Sequence, residues 1–409
     1  MKSYKETKMF LAESLLESFP QAEGDEIGAM VTHWLQTQDQ KIPFLTQSMR
    51  EHCIALLKTP RPRISQPRGV RESSETYQVQ LPIDWEDIPF PPVKLPKFTF
   101  IDLFAGIGGF RIAMQEQGGK CVFSSEWDPY AKVTYEANFG EVPYGDIRKI
   151  DEQSIPDHDI LCAGFPCQPF SLAGVSARNS LNTAHGFACE TQGTLFFDIA
   201  RIIKAKRPRI AFLENVKNIL GHDCGKTFSV IKSTIESLGY SFSHKLIDAS
   251  PLVPQKRVRC YMVCVRDDDK GFHFPVIDGP PLALKTILED SVDASFTISA
   301  KLWNGHQKRT ERNLARGTGF AAFRADLDKP SNTIVARYGK DGKECLIPQG
   351  RKNPRMLTPR ECARLQGFPE AFVIPTAKTS AYRQFGNSVA IPVIRRIAEE
   401  LVKHLRDRA

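Results

Sequence analysis

Residues 98–109 read Phe-Thr-Phe-Ile-Asp-Leu-Phe-Ala-Gly-Ile-Gly-Gly, a short apolar run that ends in a glycine cluster. The run has the length and content of a buried strand, and it predicts one over 98–104. Gly106, Gly108 and Gly109 permit a tight turn into a helix and let a ligand approach the backbone at that helix's N-terminus. A turn of this kind also serves plain strand-to-helix packing, so its meaning depends on what the neighbouring strands deliver. The same rhythm of apolar run and amphipathic stretch recurs at 121–125, at a run ending near Tyr144, at 159–163 and at 210–213. Such alternation predicts an α/β fold, a parallel sheet with helical crossovers.

Working outward, residues 1–59 carry apolar side chains at helical spacing (Phe10, Leu11, Leu15 and Leu16, then Ile27, Met30, Val31 and Trp34) and predict a helical N-terminal extension. Eight of the 28 prolines fall between Pro60 and Pro96, which predicts an extended linker over 60–96. The sheet unit should then occupy 97–270. A basic, irregular stretch should follow over 271–355. The remainder, 356–409, opens on Thr358-Pro359-Arg360-Glu361, an N-cap, a first-turn proline and a capping box. It closes on an amphipathic helix over 391–405 that can return to the sheet.

The 409 residues, with 41% hydrophobic and 25% charged side chains, are the composition of a globular chain larger than one ordinary domain. No apolar run approaches the roughly 18 residues that span a bilayer, which excludes a membrane protein of the helical kind. Met1 leads into Lys2, Lys5 and Lys8 without an apolar signal core, so the expected compartment is the cytoplasm. Ten cysteines without a Cys-x-x-Cys pair are expected to be reduced thiols, with no metal site among them. Fifty-five basic against 47 acidic side chains leave +8, a balance that favours a polyanionic partner.

In an open parallel sheet, ligands sit beyond the carboxyl ends of the strands. Glu126 follows the second strand, where a carboxylate accepts ribose hydroxyls, and Trp127 beside it can cover an adenine face. Asp146 and Ile147 follow the third; an acid there can hold an exocyclic amine or simply cap a helix. No phosphate cradle with a lysine is present, which disfavours nucleoside triphosphates. The fourth strand runs into Gly164-Phe165-Pro166-Cys167-Gln168-Pro169-Phe170-Ser171, where two prolines stiffen the backbone around a candidate nucleophile, Cys167. The fifth delivers Glu214 and Asn215. A carboxyl group directly after a buried strand is open to desolvation, which raises its pKa and lets it donate a proton. In Gln255-Lys256-Arg257-Val258-Arg259, alternation along a strand would put Arg257 and Arg259 on one face, able to favour a thiolate.

Taken together these residues resemble the DNA (cytosine-5)-methyltransferases over about 97–405. Asp102-Leu103-Phe104-Ala105-Gly106-Ile107-Gly108-Gly109 is similar to their first cofactor motif, Pro166-Cys167-Gln168 lies in their nucleophile motif, and Glu214-Asn215-Val216 resembles the catalytic acid motif. Gln255-x-Arg257-x-Arg259, Arg360-Glu361-Cys362-Ala363-Arg364-Leu365-Gln366-Gly367 and Gln384-Phe385-Gly386-Asn387-Ser388-Val389 resemble the motifs that follow, in the family's order. The resemblance implies a Rossmann-like, S-adenosylmethionine-dependent methyltransferase sheet with a smaller target-recognition domain. It implies catalytic roles for Cys167, Glu214, Arg257 and Arg259. It implies a cofactor held by Phe104, Gly106, Gly108, Gly109, Glu126 and Trp127, with Asp146, Ile147, Pro166, Asn387 and Ser388. Ala173 to Ser176, Asn179 to Leu181 and His185 to Cys189 resemble the Dcm-type subgroup in particular, which implies a target of the C-C-(A/T)-G-G kind.

The chemistry of such a reaction agrees with those residue types. Cytosine C5 is too electron-poor to take a methyl group until a nucleophile adds at C6, a task for a Cys167 thiolate, while Glu214 protonates N3. A stacked base cannot meet that thiol, so the nucleotide must be flipped out of the duplex. Between 301 and 324 six basic side chains stand against Glu311 alone, with Trp303, Phe320 and Phe323 interleaved. Lys308, Arg309, Arg312, Arg316, Arg324 and Arg337 are therefore candidate DNA contacts, with Gln168 and Ser171 beside the nucleophile. The expected partner is double-stranded DNA, bound by a monomer, with no membrane partner; a cognate restriction endonuclease for the same site is expected if the enzyme serves restriction-modification, and none if it is an orphan methylase. A dehydrogenase would share the glycine turn and Glu126 but leaves Cys167 and Glu214 unexplained. A DNA-binding regulator that acts on a promoter through residues 1–59 would explain the basic balance without catalysis, and a transfer-RNA methylase would share the motifs but not the long variable region.

Overall fold

The computed structural model describes residues 3–39, 41–57, 85–166, 195–267, 271–317 and 321–406. Phe98–Leu103 forms strand β1, Gly119–Ser125 β2, Ile160–Gly164 β3, Ile210–Val216 β4, Tyr240–Asp248 β5 and Val258–Arg266 β6. They make one sheet in the order β2-β1-β3-β4-β6-β5. The first four pair in parallel, and β6 runs antiparallel between β4 and β5. The strand expected near Tyr144 is a single parallel bridge to Ser125 on the outer edge of β2, because the chain turns at once through Gly145 and Asp146.

Alternation along β1 divides the core. Phe98 and Phe100 face one side, packed with Ile391, Ile394, Ile397 and Leu401 of the helix Ile391–Arg406. Ile101 and Leu103 face the other, and there they share a core with Tyr4, Leu11, Leu15, Met30 and Leu35. Among the described residues before 58, three α-helices form, Tyr4–Ser18, Ile27–Thr37 and Gln47–Leu57. Ser3 and Glu6 start the first with a reciprocal capping box. Every residue from Ile27 to Gln36 except Gly28 is buried. Each large apolar side chain so buried contributes about 1.5–3 kcal/mol, so this segment is bonded into the body of the sheet.

The stretch read as irregular over 271–355 contains a regular helix, Ala300–Ala315, whose N-cap Ser299 accepts from the amide of Leu302. Hydrophobic periodicity missed it because the side it buries carries His306 and Thr310. A small hairpin follows, β7 Ile347–Gln349 and β8 Lys352–Arg355. Thr358 caps Pro359–Leu365 through the expected capping box. Among the described residues no helix is long and apolar enough to cross a membrane.

Candidate active site

The glycine turn after β1 is left-handed at three positions: Phe104 at φ 54°, Gly106 at 56° and Gly108 at 85°. Phe104 has no steric licence for that conformation, so the turn is held in a strained form by its surroundings. Gly106 has nothing within 4 Å of where a Cβ would stand, whereas a Cβ on Gly108 would meet Phe139 at 2.2 Å. The turn is thus closed below and open above. Glu126, at the end of β2, folds back over it: its carboxylate accepts from the amide of Gly106 at 2.8 Å and from that of Asp128 at 2.8 Å. Burial pushes the Glu126 carboxyl up from the usual range, against those two hydrogen bonds. Lone pairs remain for ribose hydroxyls.

Trp127 stands 76% exposed beside it, a free aromatic face at the rim. Asp146 accepts from the backbone amide of Arg148 at 3.1 Å and pairs with its guanidinium, which lowers the Asp146 pKa. It therefore caps the short turn Ile147–Lys149, with acceptor sites to spare. Ile147 is buried beneath. An open glycine turn, a carboxylate and an exposed indole along one sheet edge fit an adenosine-containing methyl donor.

On the neighbouring strands, Gly164 of β3 lies opposite Glu214 of β4, and Val216 opposite Arg259 of β6. Arg259 Nε stands 3.2 Å from Glu214 Oε1, with both side chains nearly buried. Burial raises the Glu214 pKa, and Arg259 and then Arg257 pull it back without cancelling the rise. Arg257 lies one residue ahead of β6 and turns its guanidinium to the carbonyl of Ser388, with Gly386 at 3.5 Å and Ile334 at 3.4 Å. The two arginines thus divide the work: Arg259 meets the acid, and Arg257 fastens the last motif. Asn215 donates to the carbonyl of Phe165 at 3.0 Å, fixing the segment that enters Pro166.

Cys167, Gln168 and Ser171 lie outside the described residues; Pro166, exposed, is the last before them. The C-terminal segment comes back to the first turn, since a Cβ on Gly109 would meet Val389 at 2.7 Å and the Ser388 hydroxyl at 3.2 Å. Ser388 and Val389, some 280 residues away in sequence, therefore border the glycine turn, with Asn387 next to them in the chain.

With this geometry in place, the comparison with known proteins is decisive. The sequence model of the family described as C-5 cytosine-specific DNA methylase matches residues 98–403. The chain belongs to that family. It is a DNA cytosine-5 methylase, and S-adenosylmethionine is its methyl donor. It is 50% identical over 331 residues to the type II methyltransferase M.SsoII of Shigella sonnei, covering 79% of this chain and 85% of the relative. It is 43% identical over 383 residues to the DNA-cytosine methyltransferase of Escherichia coli strain K12, covering 77% and 80%. The crystal structure of the S. pombe Dnmt2 methyltransferase aligns with a TM-score of 0.60 at 17% identity, covering 75% of this chain and 99% of that one, a likeness of fold.

The methylase also carries a cationic stripe. On the helix Ala300–Ala315 and its C-cap, Lys301, Lys308, Arg309, Arg312 and Arg316 are all exposed. At helical spacing they fall within about 100° of arc, away from the buried His306 and Thr310. Arg309 pairs loosely with Asp341 at 3.9 Å. Arg337 is exposed ahead of the short helix Tyr338–Asp341. Arg324 does different work: it donates to the carbonyls of Gly350 and Lys352 at 2.8 and 3.0 Å and covers the Trp303 ring, bracing the hairpin of β7 and β8.

Sequence reasoning passed over Asp102, wholly buried near the end of β1, where burial pushes its carboxyl far up and Arg111 chiefly opposes. A lone acid inside an apolar strand was the available signal. It also passed over Arg111 and Glu141, a fully buried ion pair at 2.8 Å behind the glycine turn. Those two lie on separate helical or loop segments, with no spacing to reveal them.

Proposed function

We propose that the methylase is the modification enzyme of a type II restriction-modification system, acting in the bacterial cytoplasm as a monomer on DNA. Its target is a flipped cytosine in a short palindrome of the C-C-(A/T)-G-G kind. The modification role is supported by the 50% identity to a type II methyltransferase, the target by the Dcm-type residues between Ala173 and Cys189.

The observation that carries the mechanism is the state of Glu214, a carboxyl held at the end of β4 with a raised pKa beside Arg259. Its proton serves N3 of the cytosine, while its other oxygen accepts from the N4 amine, so the same group reads the base. Cys167, which follows Phe165 and Pro166 in the chain, adds as a thiolate to C6, forming the covalent bond that makes C5 nucleophilic. S-adenosylmethionine supplies an electrophilic methyl group on its sulfonium. Once C5 carries the methyl, loss of the C5 proton to a base and departure of Cys167 as a thiolate restore the aromatic ring, and N3 returns its proton to Glu214. Glu126 and Asp146 would hold the adenosine, beside the open glycine turn. The cationic stripe follows the phosphates.

Two measurements test this. Bisulfite sequencing of DNA from cells expressing the chain should show protected cytosines within one short palindrome. With 5-fluorocytosine DNA and methyl donor, the wild type should form a denaturant-resistant adduct, and Cys167→Ala should form none while still binding DNA. Methylation by Cys167→Ala at an unchanged rate would remove that residue from the reaction.

A further inference from the structure

The helix Ile27–Thr37 lies outside the methylase match, yet Thr32, His33 and Gln36 reach from it to segments that adjoin the cofactor residues. Thr32 accepts from the amide of Val142 at 3.0 Å. His33 faces the Ala29 carbonyl with Nδ1 at 2.9 Å, which leaves Nε2 to accept from the amide of Ser124 at 3.0 Å, two residues ahead of Glu126. Gln36 accepts from Arg111 at 2.8 Å, on the helix that starts from the glycine turn. Glu26, immediately before the helix, accepts from the amide of Gly145 with both carboxylate oxygens, at 3.0 and 3.2 Å. The next residue is Asp146.

We propose that Glu26 is a positioning residue for S-adenosylmethionine: by holding the Gly145 peptide it sets the place of Asp146 and Ile147 before the cofactor arrives. This rests on the reading of Asp146 as a contact to the adenosine. Three observations support it. Glu26 makes no capping hydrogen bond to its own helix, so its carboxylate is committed elsewhere. Position 145 is a glycine, and a Cβ there would stand 2.7 Å from Glu26 Oε1; the close approach depends on the missing side chain. The contact is an anionic acceptor on a backbone amide, of the stronger class of hydrogen bond. Glycine has the greatest backbone freedom to lose, so a segment released at Gly145 must be reordered when the ligand binds. That cost enters cofactor affinity and leaves the chemical step alone.

The test uses the full chain with Glu26→Ala, Glu26→Gln, Gly145→Ala and Asp146→Ala. Dissociation constants for S-adenosylmethionine and S-adenosylhomocysteine are measured by calorimetry, with KM for each substrate, kcat and the unfolding midpoint. Glu26→Ala and Gly145→Ala should each weaken cofactor binding about 3- to 10-fold, the scale of one charge-assisted hydrogen bond partly felt. The KM for DNA and kcat should stay as in the wild type. Glu26→Gln, whose amide oxygen can accept the same N–H, should recover to within about twofold. The proposal is overturned by unchanged cofactor affinity in Glu26→Ala and Gly145→Ala. It is equally overturned if DNA and cofactor affinity fall together with the unfolding midpoint, the mark of a general structural role. If Asp146→Ala itself leaves cofactor affinity unchanged, the reading of the site fails instead.

Discussion

At Glu214 burial and charge oppose one another, and burial prevails. A carboxyl whose pKa is raised in the folded enzyme keeps its proton to higher pH, so its donor-competent fraction is large below that pKa and declines as pH rises through it. Single-turnover methylation should therefore lose rate on that rising limb. Glu214→Gln should be slower by about 10²- to 10⁴-fold, with the limb abolished, because an amide cannot supply the proton. A Gln variant that retained the wild-type profile would assign the proton to another group. At this scale the carboxyl at a strand end was legible in the sequence, and the structure puts Glu214 there, whereas the thiol between prolines, Cys167, lies outside the described residues. The different duties of Arg257 and Arg259 were not legible. Alternation places two side chains on a face, but which carbonyl or carboxylate waits there depends on Ser388 and Glu214 arriving from elsewhere.

Among the elements, the helix Ala300–Ala315 carries the cationic stripe proposed to follow the phosphates. Its basic residues were countable in the sequence, but their gathering on one face became visible only with the helix, since a polar buried side leaves no apolar stripe to detect. Each phosphate contact contributes about 0.9 to the slope of log affinity against log salt. Replacing Lys308 and Arg312 together by Ala should therefore lower that slope by about 1.8, with binding weakened alike for target and unrelated duplexes. Fluorescence anisotropy at several salt concentrations reads it. An unchanged slope would move the phosphate track to another surface.

Across the whole molecule, the N-terminal helices and the sheet are joined by a buried ionic cluster. Arg111 is wholly buried, lies over the Tyr135 and Phe139 rings and pairs with Glu141 at 2.8 Å. Glu141 also accepts from the Ser124 hydroxyl at 2.6 Å. Burial acts to raise the Glu141 carboxyl, but Arg111, His33 and these hydrogen bonds hold it below the usual range. Removing one member leaves the other charge buried without compensation. Glu141→Leu should therefore cost about 3–5 kcal/mol in urea unfolding, whereas adding Arg111→Met should recover most of the loss. A double variant as unstable as the single one would mean that the pair is net stabilising in itself.

What the sequence determined by itself was the alternating α/β order, the capping box at Thr358 and the residue types at the strand ends, because strands, caps and turns are specified by neighbours a few positions apart. Tertiary structure alone decided that the first 57 residues, set off by a proline-rich stretch, share a core with Ile101 and Leu103. It alone decided that Glu26 reaches Gly145 and that Ser388 borders Gly109. Those contacts join segments from about 120 to 280 residues apart. At that range the partner is chosen by shape and burial of the whole fold, which no local pattern encodes.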